Sequence, residues 1–209
     1  HISKAKKDRG AKLVVIDVYE TPTVKAADHS YLIRPGTDGA LATALMHIMF
    51  RDGYADREYM SEFADAPEEL EAHVRNKSPQ WAAQITGLSV EEIEELGSLY
   101  GKVDCAFIRI GYGFARSRNG AVNMHAVTCL PVITGKWLHK GGGCLYGNAG
   151  MYPLDWGLVM GLDARDKSIR ELDMCRLGPI LLGNKGDLKG GPPAKAMLIQ
   201  NTNTAVVCP

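Results

Sequence analysis

No two of the five cysteines (Cys105, Cys129, Cys144, Cys175 and Cys208) stand at a CxxC spacing. Zinc ribbons and iron–sulfur clusters need closely spaced thiolates, and a disulfide framework usually uses an even number. The expectation is therefore reduced, mostly buried thiols, with no metal site and no iron–sulfur cluster in this segment. Neither sign of charge is in excess, since 24 basic side chains face 24 acidic ones. That balance removes the global field that draws nucleic acid or an anionic membrane. No apolar run approaches the roughly 20 residues of a membrane span. The opening stretch HISKAKKDRG lacks an initial Met and the apolar core of a signal peptide. The chain is read as a piece of something longer.

What is present is an ordinary globular composition, 45% apolar and 23% charged over 209 residues, enough for one large core. Leu13, Val14, Val15 and Ile16 form a short apolar run, the composition of a strand buried on both faces, and Asp17 stands at its tip. The stretch VYETPTVKAAD should cross the sheet edge as a loop. A second strand, Ser30 to Ile33, runs into Arg34-Pro35-Gly36-Thr37-Asp38. From there Leu41, Leu45, Ile48 and Met49 recur at helical spacing, with Thr37 or Asp38 as N-cap.

The next fifty residues read as short helices. Pro67 opens one, and Ser89 with Glu92 forms a capping box for another. The cluster Glu91, Glu92, Glu94 and Glu95 reads as a solvated face near a helix N-terminus. His47 reads as an ordinary helix histidine. A third buried strand, Cys105 to Ile110, ends in Gly111-Tyr112-Gly113. A helix from Asn119 to Thr134, apolar all round and holding Pro131, should be buried. Residues 135–194 are long, irregular and rich in Gly and Pro, with one short helix marked by Ser168 and Glu171. The last strand is Ala196 to Ile199, running into Asn201 and Asn203.

Intervening helices imply parallel strands, so these polar tips should line one edge of an α/β sheet, where open sheets bind ligands. The expected architecture is a Rossmann-like three-layer α/β/α domain with a mainly parallel sheet over 1–209. Glycines let backbone N–H groups approach a pyrophosphate, and helix N-termini at Asp38 and Asn119 favour anions. A carboxylate can accept from the N1–H and 2-amino group of a guanine, or bind ribose hydroxyls. A dinucleotide therefore fits the edge. NAD fits poorly, because its GxGxxG should follow the first strand, and here Asp17-Val18-Tyr19 follows it. The later GYGFAR run has Arg116 where the third glycine belongs.

The motifs GAKLVVID, ADHSYLIRPGTDGAL, GYGFARSRNG, TGKWLHKGGG and QNTNTA, in this order, resemble the molybdopterin oxidoreductases of the dimethyl sulfoxide reductase superfamily, which also holds formate dehydrogenases and nitrate reductases. The resemblance covers essentially the whole chain. It implies two molybdopterin guanine dinucleotides around one molybdenum or tungsten, one of them held by this segment. Asp17 would then contact the guanosine end, and Gly36, Thr37 and Asp38 would hold the guanine. Gly111, Gly113 and Arg116 would lie by the pyrophosphate. Gly141–Gly143 and Asn148 would face the pterin, and Asn201 and Asn203 would close the last strand's tip.

Two details depart from the family. Asp-Pro-Arg is frequent where Asp17-Val18-Tyr19 stands, and Asn-Pro is usual where Thr204 follows Asn203. The family's CxxCxxxC motif and metal-ligating Cys, selenocysteine or Ser have no counterpart here. The implied partners are the remaining domains of the parent subunit and electron-transfer subunits. The parent is cytoplasmic or periplasmic, with the cytoplasm favoured. An NAD-dependent dehydrogenase domain and a non-catalytic packing module are the rival readings.

Overall fold

A computed structural model of the chain describes residues 2–147, 152–199 and 203–204, apart from the side chains of Phe114 and Ala115. It divides into two compact units, His1–Met151 and Tyr152–Pro209.

In the first unit α1 (Ile2–Arg9) stops at Gly10 and leads to β1 (Val14–Asp17), the short α2 (Pro22–Lys25) and β2 (His29–Leu32). α2 lies inside the expected loop. Thr21 caps it and Pro22 supplies a preset helical φ at its first position. Asp28 ties this region together. Its carboxylate accepts from Leu13 N–H at 2.7 Å and pairs with Lys6 at 3.0 Å, and these partners hold it below the usual carboxylate range.

Next come α3 (Asp38–Arg51), α4 (Arg57–Phe63), α5 (Pro67–Val74), α6 (Pro79–Thr86) and α7 (Val90–Lys102). Their starts follow the capping chemistry of the sequence. Pro67 and Pro79 sit in first turns, and the Ser89–Glu92 box is closed by bonds of 3.1 and 2.7 Å. β3 (Phe107–Arg109) leads through a 3-10 turn at Gly113–Arg116 into α8 (Gly120–Ile133). A second 3-10 turn, Lys136–Leu138, precedes β4 (Gly143–Leu145).

α3 is the central helix and packs against α8, α6, α7 and α5. Leu41, Leu45, Ile48 and Met49 are buried, together with Met60, Val74, Ile93 and Ile133 from its neighbours. Ile48 is fully buried, so Ile48→Ala leaves a cavity no neighbour fills. It is expected to cost about 2–5 kcal/mol in a chemical denaturation curve. The glutamates of α7 do more than face solvent. Glu94 binds Arg51 of α3, and Glu95 accepts from the Tyr31 hydroxyl at 3.2 Å and pairs with His29 at 3.3 Å. Burial, with Glu95 alongside, pushes the Tyr31 hydroxyl up to about 12. His47 turns its Nδ1 to the Val74 carbonyl at 3.1 Å.

Both strand pairs are parallel: Asp17 lies opposite Leu32, and Phe107 opposite Gly143. The fold is thus mixed α/β with short parallel sheets. Among the described residues they are two separate two-stranded sheets rather than one. The strands are three or four residues long and not closed in on both sides, since Ile16 and Leu32 are each 42% exposed. The last-strand assignment also needs correction. Residues 196–199 form no strand, and Leu198 is 95% exposed, so no ladder covers it. The partner of β3 is instead β4, within the Gly-rich stretch. α8 is buried in its second half, but Val122 in its first turn is 70% exposed.

The second unit contains α9 (Trp156–Met160), capped by Asp155, a 3-10 turn at Met174–Arg176, and α10 (Leu177–Leu181). Ser168 and Glu171 start no helix. Asp166 takes the Ser168 N–H in a tight turn, and Glu171 pairs with Arg165 instead. Of the thiols described, all are free, but Cys105 and Cys175 are exposed rather than buried. Among the described residues no helix is long and apolar enough to cross a membrane.

Candidate functional site

The parallel pairing of β1 and β2 brings their C-terminal ends side by side, and Ile33 N–H extends the ladder to the Asp17 carbonyl at 2.9 Å. The chain then turns into α3. The Thr37 hydroxyl donates to the Arg34 carbonyl at 2.6 Å, and Gly36 takes a φ of +79°, which a side chain would strain. Asp38 opens the helix half-buried. Burial raises its carboxyl above the usual range. Its own N–H works against that, and the negative charge of Asp17 adds to it. Asp17 itself accepts from Val18 N–H at 2.8 Å. The two acids expected at the strand edge are therefore close enough to sense each other.

Arg34 is turned to a different task. Its Nη1 donates to the Gln84 and Ile85 carbonyls at 2.9 and 3.3 Å, and its main-chain N–H donates to Thr86 O at 2.8 Å. These are the last carbonyls of α6, where a cation complements the helix dipole.

The β3 tip continues into the first turn of α8. Gly111 and Gly113 have open space on their Cβ sides. Arg116 and Arg118 are exposed, and among the described residues their guanidinium groups make no ion pair. Tyr112 and Tyr146 meet edge to face at 4.8 Å over the ends of β3 and β4.

The join between this loop and the first one is made by two asparagines. Asn119 Nδ2 donates to the Gly36 carbonyl at 3.0 Å and to Asn123 Oδ1 at 3.1 Å. Asn123 Nδ2 donates to the same Gly36 carbonyl at 3.3 Å. Gly39 lets the helices approach here, since a Cβ at this position would run into Asn123 Oδ1 and lie 3.4 Å from Asn123 Cα.

The structure thus brings Asp17, Gly36, Thr37 and Asp38 together, and sets the turn leading from Arg116 into α8 against Gly36. Gly141–Gly143 lead into β4 and pack on the turn before it. Asn203 belongs to the second unit and is exposed. Asn148 and Asn201 lie outside the described residues. Asn123 was not among the residues expected from sequence. A signal existed, since Asn119 and Asn123 stand one turn apart at the start of a largely apolar helix.

Fold and strand edge define a mixed α/β protein whose short parallel sheets end in acidic and glycine-containing turns. No protein-family model matches the chain. Over its full length it is 38% identical to the probable oxidoreductase YoaE of Bacillus subtilis (strain 168), of which it spans 30%. Over 64% of its length it is 32% identical to dimethyl sulfoxide reductase DmsA of Haemophilus influenzae, of which it spans 19%. Among solved structures, acetylene hydratase from Pelobacter acetylenicus matches 64% of the chain with a TM-score of 0.60 and 27% identity, over 18% of that enzyme's chain. The chain belongs to the molybdopterin oxidoreductases of the dimethyl sulfoxide reductase superfamily. It spans between 19% and 30% of the length of these curated relatives.

Proposed function

We propose that residues 1–209 are the cofactor-binding domain of a larger molybdopterin-dependent oxidoreductase subunit. In this reading the domain has a Rossmann-like three-layer plan and holds the guanosine diphosphate end of one of two molybdopterin guanine dinucleotides. The observation that carries it is geometric: Asp17 ends β1 beside the end of β2, which runs on into the Gly36–Asp38 turn that opens α3, and Asn119 ties that turn to the start of α8. An acidic edge next to two helix N-termini suits a ligand that is a hydrogen-bond donor at one end and an anion at the other. Asp38 takes the guanine N1–H and 2-amino group, and Asp17 the guanosine. Arg116 and the open glycines Gly111 and Gly113 lie toward the phosphates.

When bound, the molybdenum or tungsten supplies the electron transfer. This chain's residues bind and orient the dinucleotide, and the rest of the subunit and any electron-transfer partner supply the metal ligand and the electron path. The isolated chain is accordingly expected to show no substrate-dependent dye reduction.

Calorimetric titration of the full chain tests the reading. GDP is expected to bind at least about tenfold more tightly than NAD, a difference of about 1.4 kcal/mol. Preference for NAD would overturn it in favour of a nicotinamide-dependent domain.

A further inference from the structure

We propose that Asn119 and Asn123 form an amide clamp that sets base selectivity at the strand edge, by fixing the Gly36–Asp38 turn in the one geometry that reads a guanine. The inference rests on the reading of Asp38 as the guanine-binding carboxylate.

Asn123 is only 2% exposed. A buried amide is costly unless its hydrogen bonds are met, and an apolar residue would fill this buried site without that cost. What the amides do here is specific. Both Nδ2 groups converge on one acceptor, the carbonyl of Gly36, at 3.0 and 3.3 Å. That carbonyl belongs to the residue whose φ is +79°. Glycine populates both signs of φ with little preference, so the turn has a second conformation within easy reach. Two donors on its carbonyl hold it in one.

Asp38 starts two residues further on, and the position of its carboxylate follows from that turn. Selectivity is sensitive to such positioning, because reading guanine requires both carboxylate oxygens to meet two adjacent donors at once. A rotated carboxylate keeps one bond and loses the other. The clamp also ties the turn to the start of α8, just after Arg116 and Arg118. The base and the phosphates are then read from one frame, and cooperation between the two loops follows from it.

Inosine diphosphate is the probe for this alignment, since it has the N1–H of guanine but lacks the 2-amino group. The full chain is titrated with GDP and with IDP, and the ratio of the two affinities is compared in Asn119→Ala and Asn119→Asp. Asn119 is exposed, so these substitutions leave the core intact, and each removes a donor to Gly36. Wild type is expected to prefer GDP by about tenfold, the weight of one hydrogen bond to a charged group. Both variants are expected to bring the ratio to about threefold or less, with a modest fall in the thermal midpoint from the donor lost to Asn123 Oδ1. Asn123→Asp should do the same where it folds, and the Asn119 pair decides the matter where it does not.

A ratio unchanged in both Asn119 variants, with GDP binding and Asp38 dependence intact, would overturn the clamp and leave the guanine reading standing. Wild-type chain that fails to bind GDP would overturn both. A lowered midpoint with an unchanged ratio would assign the asparagines to packing alone.

Discussion

Asp38→Asn is expected to raise the thermal stability of the chain at neutral pH while reducing GDP affinity by about 100-fold. The two effects have one origin. Burial and the neighbouring Asp17 hold the Asp38 carboxyl above its ordinary range in the folded protein. An acid whose folded pKa exceeds its unfolded pKa binds its proton more readily when folded. Its contribution to stability therefore falls as pH rises from the unfolded value through the folded one, and stays low above it. At neutral pH the fold carries that penalty in full. Asparagine keeps the shape and removes the charge, so the midpoint should rise, by about 1–3 °C for a chain of this size. The advantage should vanish on acidification below the ordinary carboxylate range, where the Asp38 carboxyl is neutral in the folded and the unfolded chain alike.

The loss of affinity follows because an amide offers one acceptor where the carboxylate offers two. It also turns a donor toward a donor. Charge-assisted bonds of this kind contribute about 1.5–3 kcal/mol each, which makes a 100-fold loss a moderate expectation. GDP binding to wild type should also weaken on acidification sooner than an ordinary carboxylate would dictate. Asp17→Asn should move that point to lower pH, since the neighbouring charge that helps raise Asp38 is gone. Thermal unfolding across pH, alongside calorimetry, measures both. A variant less stable than wild type at neutral pH would show that the Asp38 charge supports the fold rather than straining it.

Legibility from sequence divides along a physical line. What was visible depends on residues near one another in the chain. The start of α3 at Asp38, the Ser89–Glu92 box and the opening of α5 at Pro67 are all set within a turn of helix. The same locality put acidic residues at two strand tips. What was hidden depends on partners far along the chain. Arg34 looks like part of a ligand loop until the end of α6, fifty residues on, claims its guanidinium. Glu94 and Glu95 look solvated until Arg51, His29 and Tyr31 arrive from α3 and β2. Strand composition shows the same limit. Ala196–Ile199 has the apolar character of a buried strand but stands exposed, whereas Gly143–Leu145 pairs with β3 despite its glycine. β-propensity reports a fit to a pleated surface, and it cannot say whether a neighbour is present.

The glycine triplet gives the sharpest test of that distinction, because its glycines have two competing reasons to be there. As a ligand-facing loop they would leave room for a pterin. In the fold, the room beside two of them is already taken. A Cβ on Gly142 would run into the Lys136 carbonyl, and one on Gly143 would lie 2.6 Å from Trp137 Cζ3. Gly143 also has a φ of +92°. The turn they pack on is closely filled. Lys136 is 4% exposed, donates to the Val103 carbonyl and lies 5.3 Å from the centre of the Tyr100 ring. Burial pushes its ammonium below the usual lysine range, with Asp104 partly restoring it. Gly143→Ala is therefore expected to destabilise the fold by about 2–4 kcal/mol, part from the strained φ and part from overlap with the indole. Trp137 is 47% exposed and dispensable to the core, so Trp137→Ala in the same chain removes the second part alone. Denaturation of the double variant should then recover at least about 1 kcal/mol relative to the sum of the single substitutions. Strict additivity would remove the indole from the explanation. A Gly143→Ala chain of wild-type stability that bound the dinucleotide poorly would return the glycine to the ligand.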